Sequence, residues 1–119
     1  MPRYVDGFVI PVKRSQLKRY LAQARIGARV WKEHGALAYV EAVGDDLAAT
    51  FCKGFPKMAG ARAGETVIFS FIVYRSRAHR DRVNRAVMKD PRLAAAMEGL
   101  MPFDPKRMAM GGFRELIGW

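Results

Sequence analysis

Residues 66–74 read TVIFSFIVY, a stretch that would be apolar on both faces of a β-strand. One face would carry four apolar side chains, those of Val67, Phe69, Phe71 and Val73. The other face would carry three more beside Ser70, those of Ile68, Ile72 and Tyr74. Because successive side chains of a strand point to opposite faces of its sheet, the pattern predicts a strand that is covered on both sides.

The segments on either side of this strand complete the order βαββαβ. The other predicted strands are residues 4–12, 37–43 and 107–116, and the predicted helices are residues 15–34 and 76–89. This order is that of the ferredoxin-like fold of the α+β class, an antiparallel sheet with two helices on one face. With 119 residues the chain fits one ferredoxin-like domain, residues 1–119.

Both predicted helices have a single apolar side. In the first helix the apolar residues recur at spacings of three and four: Leu17, Tyr20, Leu21, Ala24, Ala28 and Trp31. We expect Ser15 to cap its N-terminus and Gly35 to end it. Ser76 is the expected cap of the second helix, and Asp90 with Pro91 ends that helix and starts a short third one.

Two helices can cover only one face of the sheet, so its other apolar face is left without a cover. A second subunit packed sheet against sheet in a symmetric dimer would remove this exposed patch. The sequence therefore predicts a homodimer. The connector, residues 44–65, is too long for a hairpin turn. We expect its segment FCKGFP, residues 51–56, to be extended and to contact the other subunit.

Three glycines interrupt the outer part of the predicted sheet. Gly7 lies within the first strand, and Gly111 and Gly112 lie within the last. Glycines inside strands mark bulges or a close approach of another group to the backbone. A bend at the dimer interface is the favoured reading, and space for a ligand is the alternative.

The chain is basic, with 21 Lys and Arg against 11 Asp and Glu and a formal net charge of +10. Such an excess can attract anionic partners over long range. The basic residues form no compact block and no RNA-recognition pattern of interleaved aromatic residues, so a solvated surface is favoured over a nucleic-acid-binding one. No apolar run approaches the roughly 18 residues of a membrane span, and the first residues do not have the layout of a signal peptide. We expect a cytoplasmic protein.

Motifs for metals and cofactors are absent from the sequence. It has no glycine-rich phosphate-binding loop, and His34 and His79 have no partner at the spacing of a zinc motif. One cysteine, Cys52, excludes an internal disulfide and a metal site built from several thiolates of one chain. The sequence predicts no metal and no cofactor.

Three polar residues stand where the pattern permits chemistry. Glu41 shares a strand face with apolar neighbours, so it is either an exposed edge carboxylate or a buried acid that would be a candidate general base. His34 either complements the C-terminus of the first helix or points between helix and sheet. Arg107 either holds a turn together with Asp104 or anchors an anion.

The chain resembles the YbaA-like family of uncharacterised proteins, domain of unknown function 1428. The resemblance is carried by four blocks: YVDGFVIPV, VWKEHGALAYVEAVGDD, ETVIFSFIVYRSRAHRDRVNRAVMKDPR and MPFDPKRMAMGGF. It implies the dimeric α/β barrel superfamily, in which two ferredoxin-like subunits pack their sheets together. It implies no activity and no catalytic role for any residue. The segment 51–64 departs from the family's usual polar connector, which puts any role of Cys52 in doubt.

Two functions are compatible with these features. In the first, the protein binds or transforms a small organic molecule in a cleft between sheet and helices. His34 and Glu41 would form its polar pair, Arg107 its anion anchor, and four residues its apolar walls: Trp31, Tyr39, Phe71 and Met110. In the second, the protein is a non-catalytic interaction module whose basic surface binds an acidic protein or RNA. The sequence assigns no reaction to either.

Overall fold

The computed structural model describes residues 2–119 as one four-stranded antiparallel sheet with helices packed on it. The strands are β1 (Tyr4–Lys13), β2 (Ala38–Val43), β3 (Glu65–Tyr74) and β4 (Ala109–Arg114). The helices are α1 (Leu17–Glu33), α2 (Phe55–Ala59), α3 (Arg77–Met88) and α4 (Pro91–Ala96). The strand order is β2-β3-β1-β4, so the predicted ferredoxin-like fold is confirmed. No helix within residues 2–119 is long and apolar enough to cross a membrane.

The core lies between the sheet and its helices. One cluster of buried side chains joins β3 to α1, α3 and α4: Val30, Ile72, Tyr74, Val83, Val87 and Leu93. A second joins β1 and β3 to α1: Ile10, Val12, Tyr20, Ala24 and Ile68. The face of β3 that carries Ile68, Ile72 and Tyr74 therefore lies against the helices.

The opposite face of the sheet is largely open to solvent in the single chain. Phe69 at its centre is 46% exposed and Phe113 on β4 is 62% exposed. Helix α2 covers part of this face, where the ring of Phe55 lies 6.1 Å from the ring of Phe69. C-terminal residues, Ile117 and Trp119 among them, lie beside Val5 and Val73 of the same face. The rest is the exposed apolar patch that the alternation of β3 predicts.

The segment at residues 51–56 is not extended as predicted, and its contact with another subunit stays a prediction. Residues Phe55–Ala59 are helical, and they contact the protein's own strands β1 and β3. Pro56 in the first turn has a backbone angle suited to a helix start, and Gly60, at φ +65°, ends the helix in the left-handed conformation.

Most predicted helix ends are confirmed, and one is wrong. Gly35 follows α1 at φ +109°, the Ser76 hydroxyl accepts a hydrogen bond from the His79 N–H at 3.1 Å, and Asp90 caps α4. Ser15 does not cap α1. Strand β1 runs directly into a 3₁₀ turn, Arg14–Gln16, so Ser15 lies inside that turn and α1 begins two residues later.

Aromatic rings, and not a bulge, explain the glycines of β1 and β4. The pairing of the two strands is uninterrupted, with Gly7 opposite Gly111. A Cβ atom at Gly7 would lie 3.4 Å from the Phe113 ring, and one at Gly112 would overlap the Tyr4 ring. The two strands therefore contain no bulge, and the glycines allow the two rings to approach the backbone. A bend at the dimer interface stays a prediction.

Candidate functional site

A cavity of about 150 Å³ lies between α1, β2 and the segment that follows α4. Its walls are mainly apolar: Ala24, Trp31, Leu93, Met97, Met101 and Phe103. Its polar groups come from Tyr20, Gln23, Tyr39 and Glu41. Mostly apolar walls with a few convergent polar groups are typical of small-molecule sites.

Glu41 is the centre of the polar groups in this cavity. Its Oε1 accepts a hydrogen bond from the Tyr20 hydroxyl at 2.6 Å, and its Oε2 accepts one from the Tyr39 hydroxyl at 2.8 Å. Burial, reinforced by the Glu41 carboxylate, raises the pKa of both tyrosines, so both hydroxyls remain donors. A carboxylate has about four acceptor positions, so about two are left for a ligand.

Gly27 provides the space for this arrangement. A Cβ atom at this position of α1 would lie 3.0 Å from the Tyr39 hydroxyl and 3.7 Å from the Trp31 ring. Glycine in a helix interior destabilises the helix by about 1 kcal/mol relative to alanine. Sequence analysis missed Gly27, and the signal available was a glycine in the middle of an amphipathic helix.

Side-chain contacts hold the segment after α4 against α1 beside the cavity. The Gln23 side-chain amide donates to the Ala96 carbonyl oxygen at 3.1 Å and lies 3.4 Å from the Met101 sulfur. The rings of Tyr20 and Phe103 meet edge to face at 5.7 Å. These contacts fix Met101 and Phe103 as walls of the cavity.

A hydrogen-bonded group behind the cavity orients Trp31. Its indole N–H lies 3.1 Å from the Tyr74 hydroxyl and 3.1 Å from the Asn84 side-chain oxygen. The Tyr74 hydroxyl in turn donates to the same Asn84 oxygen at 3.2 Å. On its other side, the Trp31 ring lies 6.0 Å from the Tyr39 ring.

A buried ion pair lies on the helix-facing side of β1. Asp6 is 2% exposed, and its Oδ1 accepts a hydrogen bond from the Arg80 guanidinium at 2.6 Å. The same guanidinium contacts Asp81 at 2.8 Å and lies 4.8 Å from the centre of the Tyr4 ring. Burial raises the pKa of Asp6, and Arg80 opposes that rise. The pair of Asp6 and Arg80 was not predicted from the sequence, although a carboxylate within an apolar strand was a visible signal.

The structure brings together three of the candidate site residues, Trp31, Tyr39 and Glu41. His34 is not among them. It follows the end of α1, where its Nε2 lies 2.9 Å from the Asp90 carboxylate. The proposed polar pair of His34 and Glu41 is therefore not formed, because each is bound to other partners.

Two of the proposed apolar walls lie elsewhere. Phe71 pairs with Val40 in the sheet register, on the face opposite to that of Tyr39 and Glu41, so it cannot line a cleft on the helix side. Met110 lies opposite Phe8 on the edge strand β4, is 62% exposed, and is not part of the cavity wall.

Arg107 binds a carboxylate of its own chain. Its guanidinium donates to both oxygens of Glu65, at 2.7 and 2.8 Å, and to the Gly60 carbonyl oxygen at 2.8 Å. Asp104 accepts a hydrogen bond from the Lys106 N–H at 2.9 Å and so caps the adjacent 3₁₀ turn. Arg107 thus holds the end of the connector, and its forked donors are occupied by Glu65.

The pair of Glu65 and Arg107 predicts a pH dependence of stability. Hydrogen bonds from Arg107 lower the pKa of Glu65 from 4.5 to about 2. Because the folded-state pKa is depressed, the stabilisation is present above pH 4.5 and is lost as the pH falls towards 2. We expect Arg107→Gln to lower the free energy of unfolding at pH 7 and to flatten its decline over this range in urea denaturation. The exposed Lys106→Gln is the control, and parallel curves for Arg107→Gln and the wild type would contradict the assignment.

Comparison with known proteins places the chain in a family. The sequence profile described as "Protein of unknown function (DUF1428)" matches residues 3–105. The chain is 40% identical over 115 residues to the uncharacterised protein YbaA of Escherichia coli K12, covering 97% of both chains, and equally similar to that of Shigella flexneri.

Two solved structures share the fold. A NIPSNAP family protein of unknown function from Agrobacterium tumefaciens C58 has a TM-score of 0.62 at 13% identity, over 95% of this chain and 87% of the other. A protein described as dimeric and ferredoxin-like, from an uncultured marine organism, has a TM-score of 0.59 at 8% identity over the full length of both chains. With the profile match and the 40% identity to YbaA, these findings show that the chain belongs to the DUF1428 family of proteins of unknown function.

Proposed function

We propose that the protein binds a small organic molecule in the cavity formed by α1, β2 and the segment after α4. The observation that carries the proposal is the Glu41 carboxylate, which two tyrosine hydroxyls hold in a fixed orientation beside a space with apolar walls. A few oriented polar groups among apolar walls give a site both affinity and specificity. Trp31 and Tyr39 contribute walls, and Glu41 contributes the polar anchor.

The presence of the cavity is better explained by a ligand-binding role than by imperfect packing of the core. Protein interiors are close-packed, with few voids larger than a water molecule. Here α1 has a glycine, Gly27, beside the Tyr39 hydroxyl, although alanine at this position would make the helix more stable. The cavity therefore depends on a residue that lowers the stability of α1.

Gly27→Ala is expected to lower ligand occupancy at least tenfold. The new Cβ atom would lie 3.0 Å from the Tyr39 hydroxyl, so Tyr39 must move away from the position that aligns Glu41. Helix propensity favours the substitution by about 1 kcal/mol, so the fold should be kept.

Native mass spectrometry after a gentle purification, and after incubation with a library of small organic fragments, measures the occupancy. Ala22→Gly, at an exposed position of α1, is the control: it changes helix propensity by a similar amount in the opposite direction and should leave the bound mass unchanged. Equal occupancy of Gly27→Ala and the wild type, or no retained fragment in either, would contradict the proposal.

We also infer that two chains pack the open faces of their sheets together in a homodimer. The exposed Phe69 and Phe113 support this, because monomeric proteins rarely leave an apolar sheet face open. A fold neighbour described as dimeric provides precedent for the arrangement in a chain of this architecture.

The interaction module with a basic surface is less well supported. Four arginines that contribute to the positive charge are engaged in ion pairs within the chain: Arg3, Arg80, Arg92 and Arg107. A guanidinium that holds an internal carboxylate is a poor contact for a phosphate.

A further inference from the structure

We propose that the ligand of the Glu41 cavity is a small organic cation of the alkylammonium class. The inference rests on the proposed function and adds the charge and size of the ligand. Three independent features carry it: the pairing of the acidic residues, the aromatic side chains of the wall and the volume of the cavity.

The first feature is a carboxylate without a cationic partner. The sequence has eleven acidic residues, and six of them form ion pairs with arginine: Asp6, Glu33, Glu65, Asp81, Asp90 and Glu115. Four others are exposed: Asp45, Asp46, Glu98 and Asp104. Within residues 2–119, Glu41 is thus the one acid that is neither exposed nor paired with a basic side chain.

The chain could readily have supplied that partner. It carries 21 Lys and Arg residues, yet no Lys, Arg or His lines the cavity, and Glu41 contacts two neutral hydroxyls. Partly buried carboxylates are normally compensated by a positive charge. A cation bound in the cavity would provide this compensation for Glu41.

The second feature is the aromatic lining. The rings of Tyr20, Trp31, Tyr39 and Phe103 all line this small space. Aromatic rings attract cations through their negative faces, tryptophan most strongly, and rings combined with a carboxylate are the usual recognition site for alkylated ammonium groups. The thioethers of Met97 and Met101 add polarizable contacts for methyl groups.

The third feature is size. A volume of about 150 Å³ corresponds to about five water molecules at about 30 Å³ each. This volume is sufficient for a trimethylammonium group with a short arm. A metal ion is a poor fit, since no three potential metal ligands among His, Cys, Asp and Glu converge in residues 2–119.

Choline and its uncharged carbon analogue, 3,3-dimethyl-1-butanol, test the charge at nearly constant shape. The sequence has two tryptophans, and Trp119 is fully exposed, so Trp119→Phe leaves Trp31 as the single fluorescent reporter in the cavity. Each compound is titrated into this variant at constant ionic strength, with sodium chloride replacing choline chloride. We expect choline to shift the Trp31 emission with at least tenfold higher affinity than the analogue.

Glu41→Gln in the same background removes the charge and retains a side chain of the same shape. We expect it to reduce choline affinity at least tenfold and to leave the affinity for the analogue unchanged. Asp45→Asn makes the same change of charge at an exposed position and should change neither the affinity for choline nor that for the analogue. Circular dichroism confirms that each variant is folded.

The outcomes separate the inference from the proposed function. Tighter binding of the analogue, or equal binding of both, would overturn the cationic ligand and keep a small-molecule site at Trp31. No response to either compound up to 10 mM, a concentration we set as the limit of specific binding (about 2.7 kcal/mol of binding free energy), would overturn the alkylammonium class. The proposed function would then depend on the fragment library alone.

Discussion

Arg80→Ala is expected to lower the free energy of unfolding at pH 7 by about 3–5 kcal/mol. The substitution leaves the carboxylate of Asp6, which is 2% exposed, without its cationic partner. Removing one member of a buried ion pair is far more destabilising than removing an exposed charge, because the remaining charge stays desolvated. Urea denaturation followed by circular dichroism measures the change.

The loss should shrink as the pH falls from 7 to 4. Burial already raises the pKa of Asp6 while Arg80 opposes it, and without Arg80 the pKa rises further. An acid whose folded-state pKa exceeds its unfolded-state value binds a proton preferentially in the folded state, so stability is regained towards low pH. Arg85→Ala, which removes an exposed arginine from the same helix, should change stability by only about 0.5 kcal/mol. A deficit that is small, or equal at both pH values, would contradict the buried ion pair.

Phe69→Asp is expected to convert the proposed homodimer to monomers, weakening association by about a thousandfold. A symmetric interface would contain the substitution twice, and each carboxylate would lose its hydration for a cost of several kcal/mol. Phe69 lies at the centre of the open face of β3, opposite Ala42 of β2. Sedimentation equilibrium over a range of protein concentrations measures the dissociation constant.

Two further variants make the result specific. Ala42→Glu places a charge on the same face without removing an aromatic ring, and it should also give monomers. Leu21→Asp is the control, because Leu21 is 46% exposed, as Phe69 is, but belongs to the helix layer. A monomeric wild type, or a Phe69→Asp variant that remains dimeric, would contradict packing of sheet against sheet.

The fold could be predicted from the sequence because its signals are local. Alternation along residues 66–74 gives the two faces of β3. Gly35 marks a helix end through its backbone conformation, and Ser76 and Asp90 mark helix starts through side-chain acceptors for backbone N–H groups. Ser15 was wrongly predicted as the N-cap of α1, because β1 continues directly into a 3₁₀ turn. In that turn the Arg14 N–H donates a hydrogen bond to the carbonyl oxygen of the distant Gly64.

The site could be predicted only in part, because its contacts join distant segments. Periodicity placed Tyr39 and Glu41 on one strand face, but the Tyr20 hydroxyl that aligns Glu41 comes from another element, 21 residues earlier. Asp6 and Arg80 are 74 residues apart. Phe71 was wrongly predicted as a wall of the cleft, because alternation separates the two faces of β3 but does not show which of them the helices cover.

The central claim is that the cavity at Glu41 is a ligand site. The most direct measurement is a ¹H–¹⁵N correlation spectrum of the protein recorded during titration with the fragments that native mass spectrometry shows to be retained. We expect the largest shifts to cluster on the amides of Tyr20, Gly27, Tyr39 and Glu41, and we expect Gly27→Ala to abolish them. Shifts centred elsewhere, for example on the larger cavity of about 530 Å³ beside Arg62 and Arg107, would contradict this claim.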